Sequence, residues 1–292
     1  MGMRFHYAEA MTNPAYYIPL AQAAESAGYF GFTIPDSLIY PKASDTAYSY
    51  TDDGGREFLE NKPFIETFTL AMAIGAATTR LHLTPNVLKL PVRPPLYSAK
   101  IASSIAVMTG NRFTLGAGLS VWPEDYQVMG VPWEKRGARF DECIEIFRGL
   151  TGGGYFEFHG KFYDIPPVKL NPVPDQPIDV LIGGHSDAAL MRAARNDGWM
   201  FAGGGPDVLA PLLERYRTLR AEHARPGRKD IVFASAVGDA DRDAIMRYRD
   251  MGVTDLAVVF RNLYAVEADS QPLQDKIDDL NRFADAIFPE FA

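Results

Sequence analysis

The chain has 292 residues, 47% of them apolar and 23% charged, which is the composition of an ordinary globular protein with length for one large core. A net charge of −8 excludes nucleic acid and anionic membrane as principal partners and leaves a small molecule as the expected one. A single cysteine, Cys143, excludes an intrachain disulfide and a thiolate metal cluster; its neighbours Ile144, Ile146 and Phe147 place it on the core face of a helix.

No apolar run approaches the roughly 18 residues of a membrane span. The opening MGMRFHYAEA lacks the apolar centre of a signal peptide, so a cytoplasmic protein is expected. Met3 to Ala8 reads as a first strand, and a helix follows from about Pro14 to Ala27, ended by Gly28. Phe30 to Pro35 is a second strand. Asp36 to Lys62 is long and poor in periodic apolar residues, and its tyrosines (Tyr40, Tyr48, Tyr50) suggest an ordered lid. After a helix from Pro63 to Thr78 come strands at Leu81–Leu83 and Phe113–Leu115. The helix between them starts at Pro94-Pro95 and stops at Gly110. Phe140, Cys143, Ile144, Phe147 and Leu150 recur at helical spacing between Trp133 and Leu150. Gly152 to Pro177 breaks the pattern: Tyr155–Phe158 and Lys161–Tyr163 flank His159-Gly160 as a hairpin, followed by a proline-rich arm. Strands then resume at Ile178–Ile182, Gly198–Ala202, Ile231–Ala236 and Asp255–Phe260. Helices at Ser186–Asn196, Pro206–His223, Ala240–Met251 and Gln271–Phe288 alternate with them.

Eight strands alternating with eight helices predict one (β/α)8 TIM barrel over 1–292, with insertions after strand 2 (about 36–62) and strand 4 (about 152–177). An open dinucleotide-binding sheet would show G-x-G-x-x-G after the first strand, where this chain reads HYAEAMTNP.

In such a barrel the strand-to-helix loops form the site. Gly183-Gly184-His185-Ser186 joins a strand to a helix start, where free amides favour a phosphate; an ordinary N-cap at Ser186 is the competing reading. Asp36, at the end of GFTIP, either anchors its loop or faces the ligand. Pro85 cannot donate to a sheet ladder, so Thr84-Pro85-Asn86-Val87 implies a bulge. Gly116 and Gly118 point to one face, leaving room for something flat or allowing tight strand packing. The five histidines are scattered without metal-ligand spacing, so no metal is expected; His82 reads as a wall residue.

GNRFTLGAGLSVWPEDYQVMGV with WEKRGARFDECIEIFRGL, and later IDVLIGGHSDAALMRAARNDGWMFAGG, resemble the luciferase-like family of flavin- and deazaflavin-dependent oxidoreductases. The second motif is closer to the branch that uses coenzyme F420. The resemblance implies hydride transfer between coenzyme F420 and a small or medium organic substrate, a homodimer, and a non-proline cis peptide at Asn86-Val87 behind the deazaflavin ring. It implies cofactor contacts from Asp36, Asn86, Val87, Gly118, Ser120, Gly183, Gly184, His185 and Ser186. Lys42, Lys89 and Arg93 are candidates for the coenzyme's acidic tail. Sugar-phosphate dehydrogenases of that branch carry Asp-His after strand 2 and Gly-Glu after strand 4. This chain has Asp36-Ser37 and Ser120-Val121 there, which leaves Ser37, His6, Tyr7 and Tyr40 as candidates for substrate polarisation or proton relay. Two alternatives follow: an FMN-dependent two-component monooxygenase, and a non-catalytic deazaflavin carrier.

Overall fold

The computed structural model describes residues 2–48, 51, 53–237 and 241–291. Tyr50 of the lid, Asp239 and Ala240 therefore lie outside the described residues.

The chain starts with β1 (Arg4–Ala8), α1 (Tyr17–Ala27), β2 (Gly31–Ile34) and α2 (Thr67–Ala77). Gly28 ends α1 with φ +93°, a left-handed cap that its missing side chain permits. The third stave of the barrel is two pieces, β3 (His82–Pro85) and β4 (Leu88–Lys89), and α3 (Pro95–Met108) leads to β5 (Leu115–Gly118). The strand expected at Phe113–Leu115 is thus displaced towards its carboxyl end, with Phe113 making only an isolated bridge to Leu83. A short α4 (Pro123–Val128) lies in the stretch expected to be loop, and α5 (Arg136–Thr151) follows. The hairpin consists of β6 (Tyr155–His159) and β7 (Asp164–Lys169), antiparallel. Its second arm begins after Tyr163 rather than at Lys161, because the Glu142 carboxylate accepts from the amides of Lys161, Phe162 and Tyr163 and holds them out of the ladder. The remaining alternation is β8 (Val180–Gly183), α6 (Asp187–Ala194), β9 (Gly198–Phe201), α7 (Pro206–His223), β10 (Ile231–Val237), α8 (Arg242–Asp250), β11 (Asp255–Val259) and α9 (Leu273–Phe291).

The parallel sheet runs β3-β2-β1-β11-β10-β9-β8-β5-β4. Because β3 and β4 are halves of one stave, the ninth strand returns to the first and the sheet closes as the expected eight-stave (β/α)8 barrel. Two-residue alternation sorts the strands. Phe5, Phe32, Val180, Phe201 and Leu256 face the helices, and Phe5 stacks on Phe288 of α9 at 5.0 Å. Leu181, Met200, Ile231, Phe233 and Ala257 meet inside the barrel and form a plug across its waist. Among the described residues, no helix is long and apolar enough to cross a membrane.

The break in the third stave decides the meaning of the paired glycines. A Cβ on Gly116 would stand 1.9 Å from the Pro85 carbonyl oxygen, and one on Gly118 would stand 2.6 Å from Val87 Cγ2. The space is taken up by close strand packing, so the flat opening considered from the sequence is not at these residues. Gly116→Ala is expected to destabilise the protein by about 3 kcal/mol, since backbone rather than a flexible side chain must yield. Gly137→Ala, in α5 with only an ordinary 3.6 Å contact, should instead gain about 0.5 kcal/mol. Denaturant midpoints of the two variants check the contrast.

Candidate active site

The carboxyl ends of the strands enclose a cavity of about 280 Å³. Its floor combines small or absent side chains (Ala8, Gly183, Gly184 and Ala257) with Met200 of the plug, and Val87 projects beside them. The Asn86-Val87 peptide is cis, as the resemblance implies. Asn86 Nδ2 donates to Ser235 Oγ at 3.0 Å across the barrel, and the Asn86 amide donates to the Ile34 carbonyl. One wall comes from the β1 loop, the lid with the segment after it, and the last strand-helix loop: Met11, Phe58, Leu59, Phe64 and Leu263 are apolar, and Phe58 meets Tyr48 and Tyr264 edge to face. The opposite wall is Leu119, Val121 and Trp122.

The charges around this cavity are paired by bonds between loops. Asp36 takes two bonds from the Arg93 guanidinium, at 2.7 and 2.8 Å, and one each from the Lys89 amide and Thr67 hydroxyl. Burial pushes the Asp36 carboxyl up, but these partners outweigh it and leave the pKa below its ordinary value. Asp36 is therefore anchor and lining at once. Lys89 Nζ sits 2.7 Å from Asp125, whose same oxygen accepts from Ser120 Oγ. Glu9 binds Lys276 Nζ and Arg261, both at 2.9 Å, and Lys276 also binds Asp269. Two of the cations expected to meet an acidic tail, Lys89 and Arg93, are thus committed to carboxylates, while Lys42 is exposed on the lid.

Of the residues singled out in the sequence, Asp36, Ser37, Asn86, Val87, Lys89, Gly183 and Gly184 come together in the cavity lining. Tyr40 stands at its edge, its ring 6.3 Å from that of Trp122. The others lie elsewhere. Tyr7 points outward, stacked on Phe260 and bonded to Glu9. Gly118 lies behind Val87, and the Ser120 hydroxyl pins the α4 loop through Asp125 and the Trp122 amide. Ser186 caps α6 by accepting from the Ala189 amide at 3.3 Å. His185 stacks on Phe201, and burial lowers its pKa. Ser235 and Phe58 were not among the expected site residues. For Ser235 the signal was present, since Ile231, Phe233 and Ser235 share the inward face of β10 and Ser235 is nearest the mouth.

His6 belongs to a second cavity, of about 220 Å³, at the amino-terminal end of the barrel below the plug. There His6 Nε2 lies 2.7 Å from Asp255, which also binds Arg4. Burial opposes ionisation of Asp255, yet His6 and Arg4 bring its pKa to about 2. His82 pairs with the Thr114 hydroxyl at 2.8 Å and stacks on Phe30, the wall role expected. Among the described residues no group of three or more His, Cys, Asp or Glu could hold a metal ion.

The family model for luciferase-like monooxygenases matches residues 3–284. The chain belongs to the luciferase-like monooxygenase family. It is 57% identical to the uncharacterized protein Rv0940c of Mycobacterium tuberculosis, over 98% of this chain and 99% of that one. Its fold is similar to the coenzyme F420-dependent tetrahydromethanopterin reductase of Methanopyrus kandleri, with a TM-score of 0.74 and 15% identity over the full length of both chains. It is also similar to the oxygenating constituent of 3,6-diketocamphane monooxygenase of Pseudomonas putida, solved with FMN (TM-score 0.71, 15% identity, 100% and 99% coverage). Luciferase-like enzymes are oxidoreductases, and the structures similar to this chain include both deazaflavin and flavin users.

Two outcomes follow from the site's electrostatics. Burial and neighbouring cations lower the His82 pKa from 6.5 to about 3. Below pH 6.5 the unfolded chain therefore takes up a proton that the folded chain refuses, and stability falls as pH drops towards 3. Wild type should lose about 1–2 kcal/mol from this group between pH 6.5 and 5. His82→Gln should flatten that part of the pH–stability curve from urea melts. Asp36→Asn leaves the buried Arg93 with only the more distant Glu66 carboxylate, at 3.9 Å, and should cost about 3 kcal/mol in the same melts at pH 7, where Asp36 is ionised.

Proposed function

We propose that the protein is a coenzyme F420-dependent oxidoreductase acting on a small or medium organic substrate. The observation that carries this reading is the floor of the cavity. Ala8, Gly183, Gly184 and Ala257 leave a side-chain-poor surface beside Val87, suited to a flat polycyclic ring, and Asn86 is held in place there by Ser235. When bound, the deazaflavin supplies the hydride donor or acceptor at C5, and the protein supplies position and electrostatics. Val87 and the glycines form the apolar backing. Asp36, fixed by Arg93, holds the β2 loop so that Ser37 reaches the lining. The Ser37 hydroxyl stands where a proton could be passed at the mouth, with Tyr40 at the cavity edge beside Trp122. The apolar lid wall excludes water from the reacting carbon.

A second reading, oxygenation with reduced FMN, draws support from the diketocamphane monooxygenase likeness and from the same floor, which would also take an isoalloxazine. The two are separated by titration. Coenzyme F420 fluorescence should change saturably on adding the protein, whereas reduced FMN should bind more weakly and cause no substrate-dependent oxygen uptake. Ala202→Phe, which adds a ring at the lining, should weaken F420 binding about tenfold or more. Absence of saturable F420 binding, with tight binding of reduced FMN, would reverse the assignment.

A further inference from the structure

The lining identifies the kind of substrate as well as the space for it. Its charged side chains, Glu9, Asp36 and Lys89, are each neutralised by a partner from another segment, Lys276 and Arg261, Arg93, and Asp125 respectively. Arg56 rests against the Tyr40 and Trp122 rings and donates to the Pro41 carbonyl, outside the lining. An anionic substrate would enter a largely apolar chamber with no uncommitted cation among the described lining residues, and burying such a charge is unfavourable. One polar group points the other way. Trp122 lines the cavity, is 2% exposed, and its Nε1–H finds no acceptor among the described residues. A buried donor left unmade is costly, and a ligand acceptor that reached it by a shift of the side chains covering it would relieve it. The Lys89 ammonium, 5.3 Å from the centre of the indole ring, draws electron density from it and strengthens the N–H as a donor.

We propose that the cavity takes an uncharged, largely apolar substrate whose carbonyl or hydroxyl oxygen accepts a hydrogen bond from the Trp122 indole. This rests on the hydride-transfer reading above, for which a carbonyl or carbinol carbon is the reacting centre. Trp122 acts as a specificity residue: the neutral indole orients the oxygen and keeps its own proton.

Calorimetric titration of the purified protein, with and without saturating coenzyme F420, tests this with three probes of one shape. Acetophenone carries the oxygen, ethylbenzene lacks it, and 4-acetylbenzoate adds a carboxylate. Acetophenone should bind about tenfold tighter than either of the others. Trp122→Phe should weaken acetophenone about tenfold and leave ethylbenzene within about twofold, whereas a merely structural role would weaken both alike. Equal affinity for acetophenone and ethylbenzene in wild type, preference for 4-acetylbenzoate, or no acetophenone binding overturns the proposal. The wild-type series needs no variant, so a folding defect cannot mask the answer. Failure of the cofactor reading is distinct: coenzyme F420 would not bind, while the order of the three probes in its absence would persist.

Discussion

Both the barrel and its cavity depend on how the third stave is interrupted at Pro85–Val87. Proline cannot donate to a neighbouring strand, so the ladder has to break there, and the chain resumes pairing only at Leu88. Across the break the Pro85 carbonyl presses on β5 where Gly116 has no side chain, and Val87 turns inwards over Gly118 and Gly183. Three glycines on two staves are therefore tied to one irregularity. A Cβ at Gly116 would force the staves apart, and one at Gly118 or Gly183 would displace Val87 from the cavity it helps shape.

Around that irregular stave, charge holds the loops and apolar groups form the chamber. Buried carboxylates are tolerable only when paired, and here each pairing joins segments distant in sequence. Asp36–Arg93 ties the β2 loop to the start of α3, Lys89–Asp125 ties β4 to α4, and Glu9–Lys276 ties the β1 loop to α9. Because these ions satisfy one another, the interior wall can be apolar. The division has a chemical consequence: the electrostatic strength of the site goes into fixing loop positions, and recognition of a ligand falls to shape and to neutral donors.

The fold was legible in the sequence because alternating short apolar strands and capped helices leave few alternatives, and Gly28, Gly110 and Gly152 each stand at or just past a helix end. The site was legible where a residue's neighbours in sequence determine its place. Asp36, Asn86, Val87 and Gly183-Gly184 follow directly on strands and reach the cavity. His6 and Tyr7 show the limit. A strand advances about 3.3 Å per residue and changes face at each step, so Tyr7 turns to the helices while Ala8 faces the cavity. His6 faces inwards but lies below the plug formed by Leu181, Met200, Ile231, Phe233 and Ala257. Gly116 and Gly118 could not be interpreted without knowing that Pro85 and Val87 lie across from them, which is a fact of register.

The lid and the α4 loop were the least legible parts, for a related reason. Residues of the barrel floor are placed by strand register, which is periodic. Residues of the wall are placed by pairings such as Lys89–Asp125 and by ring contacts such as Phe58–Tyr264, which have no period. Trp122 combines both influences. Its amide is fixed by Ser120, its ring is flanked by Lys89 and Tyr40, and that cross-loop assembly leaves the residue lining the cavity and its N–H buried without a protein acceptor among the described residues. Ser120, considered from the sequence as a cofactor contact, thus influences the site through the residue two positions on. The Ser120-Val121 pair accordingly belongs to the turn that places the Trp122 ring against the cavity.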